Sequence, residues 1–270
     1  YFGIPFSNDM TSVPSMKLAS NIQFNMGWTV DTIPDIQAQA NGSYPPLMKN
    51  QEVIEVPVAQ NTMTRRLTDY AVSFIRSNAG KRPFFLYFAH SMPHVPLHTD
   101  INFKGISGKG IYADVIQEID WSVGQIVSAL SRHGVRDNTL IFFLSDNGPW
   151  RSYGNHGGNS GGLRGGKFDV WEGGFRVPAI ASWPARMPRG KVNNHVISTI
   201  DILPTLAYIA GTKPSGRTID GVNIIESLTG GFTDELGSRH LYYFLGSQIA
   251  AVRKSQWKYV FEHTGHAVLE

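Results

Sequence analysis

The sequence contains no cysteine, so neither disulfide bonds nor thiol chemistry can contribute to its fold or to a site. No stretch approaches the roughly 18 consecutive apolar residues that a membrane-crossing helix needs, so no membrane span is predicted. Lysine and arginine form no blocks and the net charge is only +3, which argues against nucleic acid as a partner. A local cationic pocket for an anionic substrate agrees better with this mildly basic balance.

The chain has 270 residues, 41% of them hydrophobic, which is enough to bury one large core. Unbroken apolar runs at 84–88 and 139–144 are typical of buried strands, and helical spacing of apolar side chains over 111–130 predicts a helix between them. This order implies a right-handed parallel crossover, so both strands should share one sheet. Further predicted elements are a strand at 52–58, helices at about 62–77 and 199–210, and antiparallel strands at 241–245 and 257–261.

A polar motif, Ser145-Asp146-Asn147-Gly148, follows the second of these runs. Ligands of open α/β sheets collect at the carboxyl ends of strands. A carboxylate beside an amide carbonyl offers the oxygen ligands that Ca²⁺ or Mg²⁺ prefers. The alternative is an ordinary Asx-Gly turn without a metal.

The segment that follows combines many glycines with several cations. Nine glycines lie between positions 154 and 174, among them the charged or titratable side chains of His156, Arg164, Lys167, Glu172 and, just beyond, Arg176. Such density lets the backbone approach a ligand closely, and its amides could cradle an oxyanion. The alternative is a flexible surface loop. Glu172 is expected to cap a turn or to pair with Arg176, and we assign it no catalytic role.

Six short blocks follow one another along the chain. They are Phe84-Phe85-Leu86-Tyr87-Phe88-Ala89-His90, Pro93-His94-Val95-Pro96, Ser145-Asp146-Asn147-Gly148, Leu163-Arg164-Gly165-Gly166-Lys167, Trp171-Glu172-Gly173-Gly174 and Asp201-Ile202-Leu203-Pro204-Thr205. In order and spacing they resemble the type I sulfatases, particularly the arylsulfatase branch. The resemblance extends over nearly the whole chain, from Tyr1 to Tyr259.

The resemblance implies an α/β fold of the alkaline-phosphatase-like class. This fold is a sandwich with a mainly parallel central sheet flanked by helices, followed here by the start of a small C-terminal antiparallel subdomain. Residues 1–238 would form the middle and later part of the catalytic domain, and residues 239–270 the beginning of that subdomain. The chain would then be a fragment of a longer, extracytoplasmic sulfuric ester hydrolase of a lysosomal, secreted or periplasmic kind.

The family's nucleophile is a formylglycine made from the Cys or Ser of a Cys/Ser-x-Pro-x-Arg motif, and that motif is missing here. The nearest imitation begins at Ser12, but Met16 stands in the place of the arginine, and the segment follows Ser7 instead of preceding it. We therefore expect Ser12 to be a loop residue. The formylglycine would come from a missing N-terminal segment, and the 270 residues alone would be inactive.

By the same resemblance, Asp146 and Asn147 are expected to bind a divalent cation, Ca²⁺ with Mg²⁺ as the alternative. His94 and Lys167 would be catalytic and would also contact the sulfate. A lysine ammonium opposes the charge that develops on the departing oxygen, and a histidine can donate a proton near neutral pH. Ser7 would donate a hydrogen bond to the same sulfate.

His90, His94 and His98 recur every four residues, which on a helix would form a zinc-binding stripe. Pro93 and Pro96 exclude a regular helix there, so we reject a helical zinc site. Without the resemblance, loop packing would be the ordinary explanation for His94.

The expected substrate is a sulfate ester of an aryl group or a glycan, and the oligomeric state is left open. Two other functions remain possible from the residues. One is a phosphodiesterase or phosphonate hydrolase of the same superfamily, which metal stoichiometry and turnover of an aryl phosphate diester would reveal. The other is a non-catalytic protein that binds sulfated glycans through Lys167, Arg164 and the neighbouring Trp residues, which heparin retention without turnover would reveal.

Overall fold

The computed structural model describes residues 1–10, 16–32, 44–231 and 234–261. These residues divide into two compact units. The first unit is Tyr1–Arg136 with Tyr153–Gly158, and the second unit is Asp137–Ser152 with Asn159–Glu270. The expectation that Ser12 is a loop residue falls outside the described residues.

A four-stranded sheet opens the first unit, with the strand order β1, β3, β4, β2. Its strands are β1 (Phe2–Gly3), β2 (Lys17–Phe24), β3 (Leu47–Lys49) and β4 (Glu52–Val56). β2 runs parallel to β4, and the other neighbours are antiparallel. Val53 and Val56 of β4 are fully buried and pack against apolar side chains of β2. The strand predicted at 52–58 is therefore confirmed, and it ends before Pro57, which has no N–H for the ladder.

Two long helices of the first unit confirm the periodicity argument. They are α1 (Met63–Asn78) and α2 (Ile111–Arg132). α1 buries one face that includes Leu67, Ala71 and Ile75, as its spacing predicts. The hydroxyls of Thr68 and Ser122 lie 2.5 Å apart in the buried contact between the helices.

α2 ends where the sequence places a glycine. Gly134 has a φ of +69°, a conformation that glycine adopts at low cost. The Gly134 N–H donates to the backbone carbonyl of Ser131, and the Val135 N–H donates to the backbone carbonyl of Leu130. These bonds satisfy carbonyls that the last helical turn would otherwise leave without partners.

The expected parallel crossover is not formed in the described residues: the run at 84–88 is not a strand, and the run at 139–144 is confirmed as a strand but has a different partner. Residues 84–88 adopt no regular secondary structure, although their side chains still alternate: Phe85 and Tyr87 are 66% and 81% exposed, while Phe88 packs into the core around Leu47. The second run forms β5 (Ile141–Leu144), which pairs antiparallel with β6 (Ala179–Ser182). Apolar patterning reports an extended chain and its buried face, but it does not identify the strand that supplies the hydrogen bonds.

Among its described residues, the second unit contains four short α-helices besides β5 and β6. They are α3 (Glu172–Phe175), α4 (Ile202–Ile209), α5 (Ile225–Thr229) and α6 (Asp234–Ser238). Ile224, Leu228 and Leu236 are buried against Phe142 and Ala181 of the two strands. The helix predicted at 199–210 is confirmed as a 3₁₀ turn, Thr199–Asp201, that continues into α4.

A buried ion pair holds the start of α4. The Asp201 side chain is fully buried, and its two carboxylate oxygens lie 2.5 and 2.7 Å from the guanidinium nitrogens of Arg239. The same carboxylate accepts from the N–H groups of Ser198 and Val222. A buried charge with this many donors is stable only as part of the packed fold, so the Asp201 block is structural.

A three-stranded antiparallel sheet ends the described chain. Its strands are β7 (His240–Leu245), β8 (Gln248–Lys254) and β9 (Trp257–Val260), in that order. This confirms the antiparallel strands predicted at 241–245 and 257–261. Tyr243 and Ala251 on one face are buried with Val170 of the glycine-rich segment. The domain boundary after residue 238 remains a prediction.

Every helix in the described ranges is too short or too polar to traverse a lipid bilayer.

Candidate active-site residues

Ser7 and His94 come together in the first unit. The Ser7 hydroxyl oxygen lies 3.4 Å from His94 Nδ1, and the Val95 carbonyl oxygen lies 2.7 Å from the same nitrogen. A carbonyl oxygen can only accept a hydrogen bond, so Nδ1 carries a proton and donates a hydrogen bond to the Val95 carbonyl. With Nδ1 as a donor, Nε2 is the ring nitrogen left to face another group. Residues 92–96 form turns and bends, and residues 90–91 and 97–98 have no regular secondary structure, so His90, His94 and His98 do not share a helical face.

A residue that the sequence reasoning left unassigned, Asn8, holds this arrangement. Its side chain is only 2% exposed, and its Oδ1 lies 3.1 Å from His94 Nδ1. The amide nitrogen donates to the carbonyl oxygens of Pro96, at 3.0 Å, and of His94, at 3.4 Å. These partners lie more than 80 positions away along the chain, so no local pattern could have revealed the role of Asn8.

Asp146 and Asn147 follow β5 in the second unit, as predicted. Asp146 is exposed. The Ser145 hydroxyl donates to the Asn147 carbonyl at 3.0 Å, and the Asn147 amide nitrogen donates to the Gly148 carbonyl at 2.9 Å. The amide nitrogen is thus engaged within the turn, and the amide oxygen is the atom left to act as a ligand. One carboxylate and one amide oxygen form a hard donor set that suits Ca²⁺ or Mg²⁺.

This donor set is only part of a metal site. Among the described residues, no group of three or more His, Cys, Asp or Glu side chains is placed to hold a metal ion. Ca²⁺ takes six to eight oxygen ligands, and Mg²⁺ takes six. Asp146 and Asn147 therefore fit a hard divalent cation chemically, and the remaining ligands must come from other groups or from water.

The glycines near these residues pack backbone against backbone. A Cβ on Gly148 would lie 1.7 Å from the carbonyl oxygen of Gly173, and one on Gly173 would lie 2.2 Å from that of Gly165. One on Gly174 would lie 2.4 Å from the carbonyl oxygen of Gly166. No side chain fits at such distances. The sequence assigned this glycine density to close approach of a ligand, whereas at these positions the structure uses it to join three chain segments.

Lys167 lies on one of the joined segments. Its N–H donates to the Pro149 carbonyl at 2.8 Å, which ties it to the turn that carries Asp146. Its ammonium lies 4.4 Å from the ring centroid of Trp150 and 5.4 Å from that of Phe168. Aromatic faces attract cations, so these two rings restrict the ammonium. The structure thus brings Lys167 and the predicted metal ligands onto neighbouring loops of one unit.

Glu172 does not pair with Arg176 as the sequence suggested. The contact between the two residues is made by the backbone: the Glu172 carbonyl accepts a hydrogen bond from the Arg176 N–H at 2.7 Å. The carboxylate instead binds Arg253 at 2.8 Å and Lys258 at 3.0 Å. Burial raises the pKa of Glu172, but the hydrogen bonds and charges of these two cations outweigh it and leave the pKa below its ordinary value. Both partners lie far along the chain, beyond the reach of a local argument.

Comparison with known proteins agrees with the resemblance. The sequence matches the Sulfatase family over residues 7–212. It is 39% identical over 208 residues to N-acetylgalactosamine-6-sulfatase of Canis lupus familiaris, covering 76% of this chain and 39% of that protein. It is 37% identical over 227 residues to human steryl-sulfatase, covering 80% of this chain and 39% of that protein. The chain thus spans about two fifths of the length of these relatives.

The fold comparison gives the same family. The crystal structure of the PsFucS1 sulfatase from Pseudoalteromonas sp. superposes with a TM-score of 0.73 at 25% identity, covering 90% of this chain and 52% of that one. This likeness confirms the expected alkaline-phosphatase-like fold class, although among the described residues parallel pairing is limited to β2 with β4.

Proposed function

This chain belongs to the sulfatase family, and on that premise we propose that it is part of a longer, metal-dependent sulfuric ester hydrolase. One observation carries the proposal. Lys167 is tied through Pro149 to the turn that presents Asp146 and Asn147, so a cation and two hard oxygen donors sit on adjoining loops at the end of β5. Opposite charges arranged in this way suit an anionic ester and a divalent metal together.

Each group has a chemical role in this proposal. Asp146 and Asn147 would hold the divalent cation, which when bound would offset the negative charge of the sulfate oxygens. The Lys167 ammonium would stabilise the negative charge on the departing oxygen as the S–O bond breaks. His94, whose Nδ1 donates to Val95, would use Nε2 to exchange a proton with that oxygen.

The Ser7 hydroxyl would donate to a sulfate oxygen. Its 3.4 Å separation from His94 Nδ1 leaves it free to turn toward a stronger acceptor. Attack on sulfur would come from a formylglycine outside these 270 residues, since the chain has no cysteine and no matching serine motif. We assign no step to Ser12.

The finer identity of the enzyme is also proposed. Ca²⁺ is the preferred cation because the donors are oxygen atoms on a turn, which suits its flexible coordination better than the strict octahedron of Mg²⁺. The proposed substrate class is an aryl or glycan sulfate, and the similarity to an N-acetylgalactosamine-6-sulfatase supports the glycan part of it. An extracytoplasmic location follows from the family resemblance.

The test uses the complete polypeptide that carries this chain. We expect Asp146→Ala and Lys167→Ala each to lower aryl sulfate turnover by about two orders of magnitude or more. Lys191→Ala, which removes an exposed lysine elsewhere in the second unit, is the matched control and should keep the parental rate. Removal of divalent cations by chelation should abolish turnover, and Ca²⁺ should restore it better than Mg²⁺.

Three outcomes would contradict the proposal. Near-normal rates for both Asp146→Ala and Lys167→Ala would contradict the assignment of these residues to the site. Faster turnover of an aryl phosphate diester than of an aryl sulfate would favour a phosphodiesterase. Retention on heparin without any turnover would favour a non-catalytic glycan-binding protein.

A further inference from the structure

We propose that the C-terminal sheet, β7 to β9, positions the Asp146 and Lys167 loops through the carboxylate of Glu172. Arg253 and Lys258 would be the positioning residues on the sheet. The inference rests on the proposed function, because it assigns to these three residues an effect on the same site. None of the three is assigned contact with the substrate.

The first step is the attachment of Glu172 to the sheet. One carboxylate oxygen lies 2.8 Å from Arg253 of β8, and the other lies 3.0 Å from Lys258 of β9. The side chains of Arg253 and Lys258 are only 17% and 10% exposed, so solvent screens these contacts little. Because both oxygens of Glu172 are already held by cations, the carboxylate is an anchor rather than a metal ligand.

Apolar packing on both sides of Glu172 strengthens the attachment. Val170, which is 1% exposed, is buried with Tyr243 and Ala251 of the sheet. At the end of α3, the ring of Phe175 meets that of Tyr243 edge-on with centroids 4.7 Å apart. The Lys258 ammonium lies 3.6 Å from the centroid of the same tyrosine ring. α3 is therefore fixed to the sheet by an ion-pair cluster with ring and aliphatic contacts around it.

The second step leads from α3 to the turn that carries Asp146. The N–H of Gly148 donates to the Gly174 carbonyl at 2.9 Å, and the Gly173 carbonyl oxygen fills the place where a Cβ of Gly148 would stand. A shift of α3 must therefore move Gly148, which is two positions from Asp146. Packed interiors of this density transmit displacement instead of absorbing it.

The third step leads from α3 to Lys167. The N–H of Gly173 donates to the Arg164 carbonyl at 2.7 Å, and a Cβ on Gly174 would collide with the Gly166 carbonyl oxygen. Gly166 in turn packs against the Pro149 carbonyl that holds Lys167. Both functional loops thus rest on the two glycines that directly follow Glu172.

The experiment compares Glu172→Gln with Glu55→Gln in the complete polypeptide. Glu55 is a good match because it is 3% exposed and is held by Arg66 at 2.6 Å, by Asn25 and by Ala59, all of which lie in the first unit. We expect Glu172→Gln to lower kcat about 10-fold with little change in KM, and to weaken Ca²⁺ binding measured by calorimetry by a similar factor. Glu55→Gln should lower the unfolding midpoint and leave both kcat and Ca²⁺ affinity unchanged.

Two backbone amides report on positioning directly. Hydrogen exchange at the Gly148 and Gly173 N–H groups should accelerate in Glu172→Gln while the α1 and α2 amides stay protected. Lys258→Arg, which keeps a cation at the anchor, should remain within about threefold of the parental kcat, whereas Lys258→Met should resemble Glu172→Gln. If Glu172→Gln fails to fold, the Lys258 pair carries the same comparison.

Unchanged kcat, Ca²⁺ affinity and glycine exchange in folded Glu172→Gln and Lys258→Met would overturn the positioning role. A lowered unfolding midpoint alone, as in Glu55→Gln, would also overturn it, because it would show a stabilising contact only. The proposed function is judged separately. It fails if Asp146→Ala and Lys167→Ala keep their rates, whatever the Glu172 variants do.

Discussion

The two regions that carry the candidate residues are held in different ways. His94 is held by side chains, chiefly by the buried amide of Asn8, which meets the imidazole and two carbonyls of the same loop. The loops of Asp146 and Lys167 are held by backbone, through glycines that allow carbonyls to occupy the places of side chains. The first arrangement depends on one residue being present, and the second depends on side chains being absent.

This difference predicts different kinds of failure. Loss of a buried amide leaves carbonyls without donors, but the surrounding chain keeps its path. Insertion of a methyl group between two backbones forces the chain itself to move, and the displacement reaches every segment that rests on it. The glycine-packed region should therefore be the more fragile of the two.

The largest expected effect comes from Gly148→Ala. Its added Cβ would lie 1.7 Å from the Gly173 carbonyl oxygen, so the turn after β5 must shift. We expect a loss of about 3 kcal/mol in the free energy of unfolding. A displacement of about 1 Å at the site should also lower aryl sulfate turnover of the complete polypeptide about 100-fold. Urea unfolding and steady-state kinetics provide the two measurements.

The matched control for this variant is Gly237→Ala in α6, where no atom of the described residues lies within 4 Å of the added Cβ. Alanine favours a helix over glycine by about 1 kcal/mol, so this control should be neutral or slightly stabilising. Equal behaviour of the two alanine variants would show that backbone packing does not set the position of the turn.

Asn8→Ala should have an intermediate effect. It removes the donor to the Pro96 and His94 carbonyls and the contact to the imidazole, which should cost about 2 kcal/mol of stability. A freer His94 ring should also lower kcat for an aryl sulfate in the complete polypeptide. Asn21→Ala, at an exposed position of β2, is the control. An unaltered kcat for Asn8→Ala would contradict its role in orienting His94.

The free energy of unfolding should also depend on pH, and partly buried groups of the two units should lose their contributions in different pH ranges. Burial lowers the pKa of His90 from 6.5 to about 4, so the folded protein resists protonation that the unfolded chain accepts. The resulting stability is present above pH 6.5 and is lost as the pH falls toward 4. Between pH 7 and pH 5 the free energy of unfolding should fall by about 2 kcal/mol because of His90. Urea unfolding at both pH values should show this loss, and His90→Phe should remove it.

The corresponding loss at Glu172 falls in a more acidic range. Arg253 and Lys258 hold its pKa below the ordinary 4.5, so its contribution is present above 4.5 and is lost as the pH falls further. In Glu172→Gln, the free energy of unfolding should lose only the part of its pH dependence that lies below pH 4.5. Identical pH dependence of stability in His90→Phe and Glu172→Gln would show that the two groups do not titrate in separate ranges.

The local parts of the fold were predictable because their causes are local. The apolar spacing of Leu67, Ala71 and Ile75 requires one helical face, and α1 has that face. Gly134 supplies the left-handed residue that ends α2. The positions of Asp146, Asn147 and Lys167 on loops followed from the runs and glycines around them. In contrast, the run at 84–88 predicts an extended chain, but only its neighbours decide whether a ladder forms.

The sequence by itself determined the helices, the glycine-rich segment and the residue types of the candidate site, since short-range pattern is enough for each, and its motifs resemble those of the family to which the chain belongs. Only the tertiary structure decided that Asn8 holds His94, that Glu172 pairs with Arg253 and Lys258, and that glycines join the loops of Asp146 and Lys167 by backbone contact. The physical reason is range. These contacts join positions far apart in the chain, and their energies depend on burial and distance, which exist only after the chain has folded.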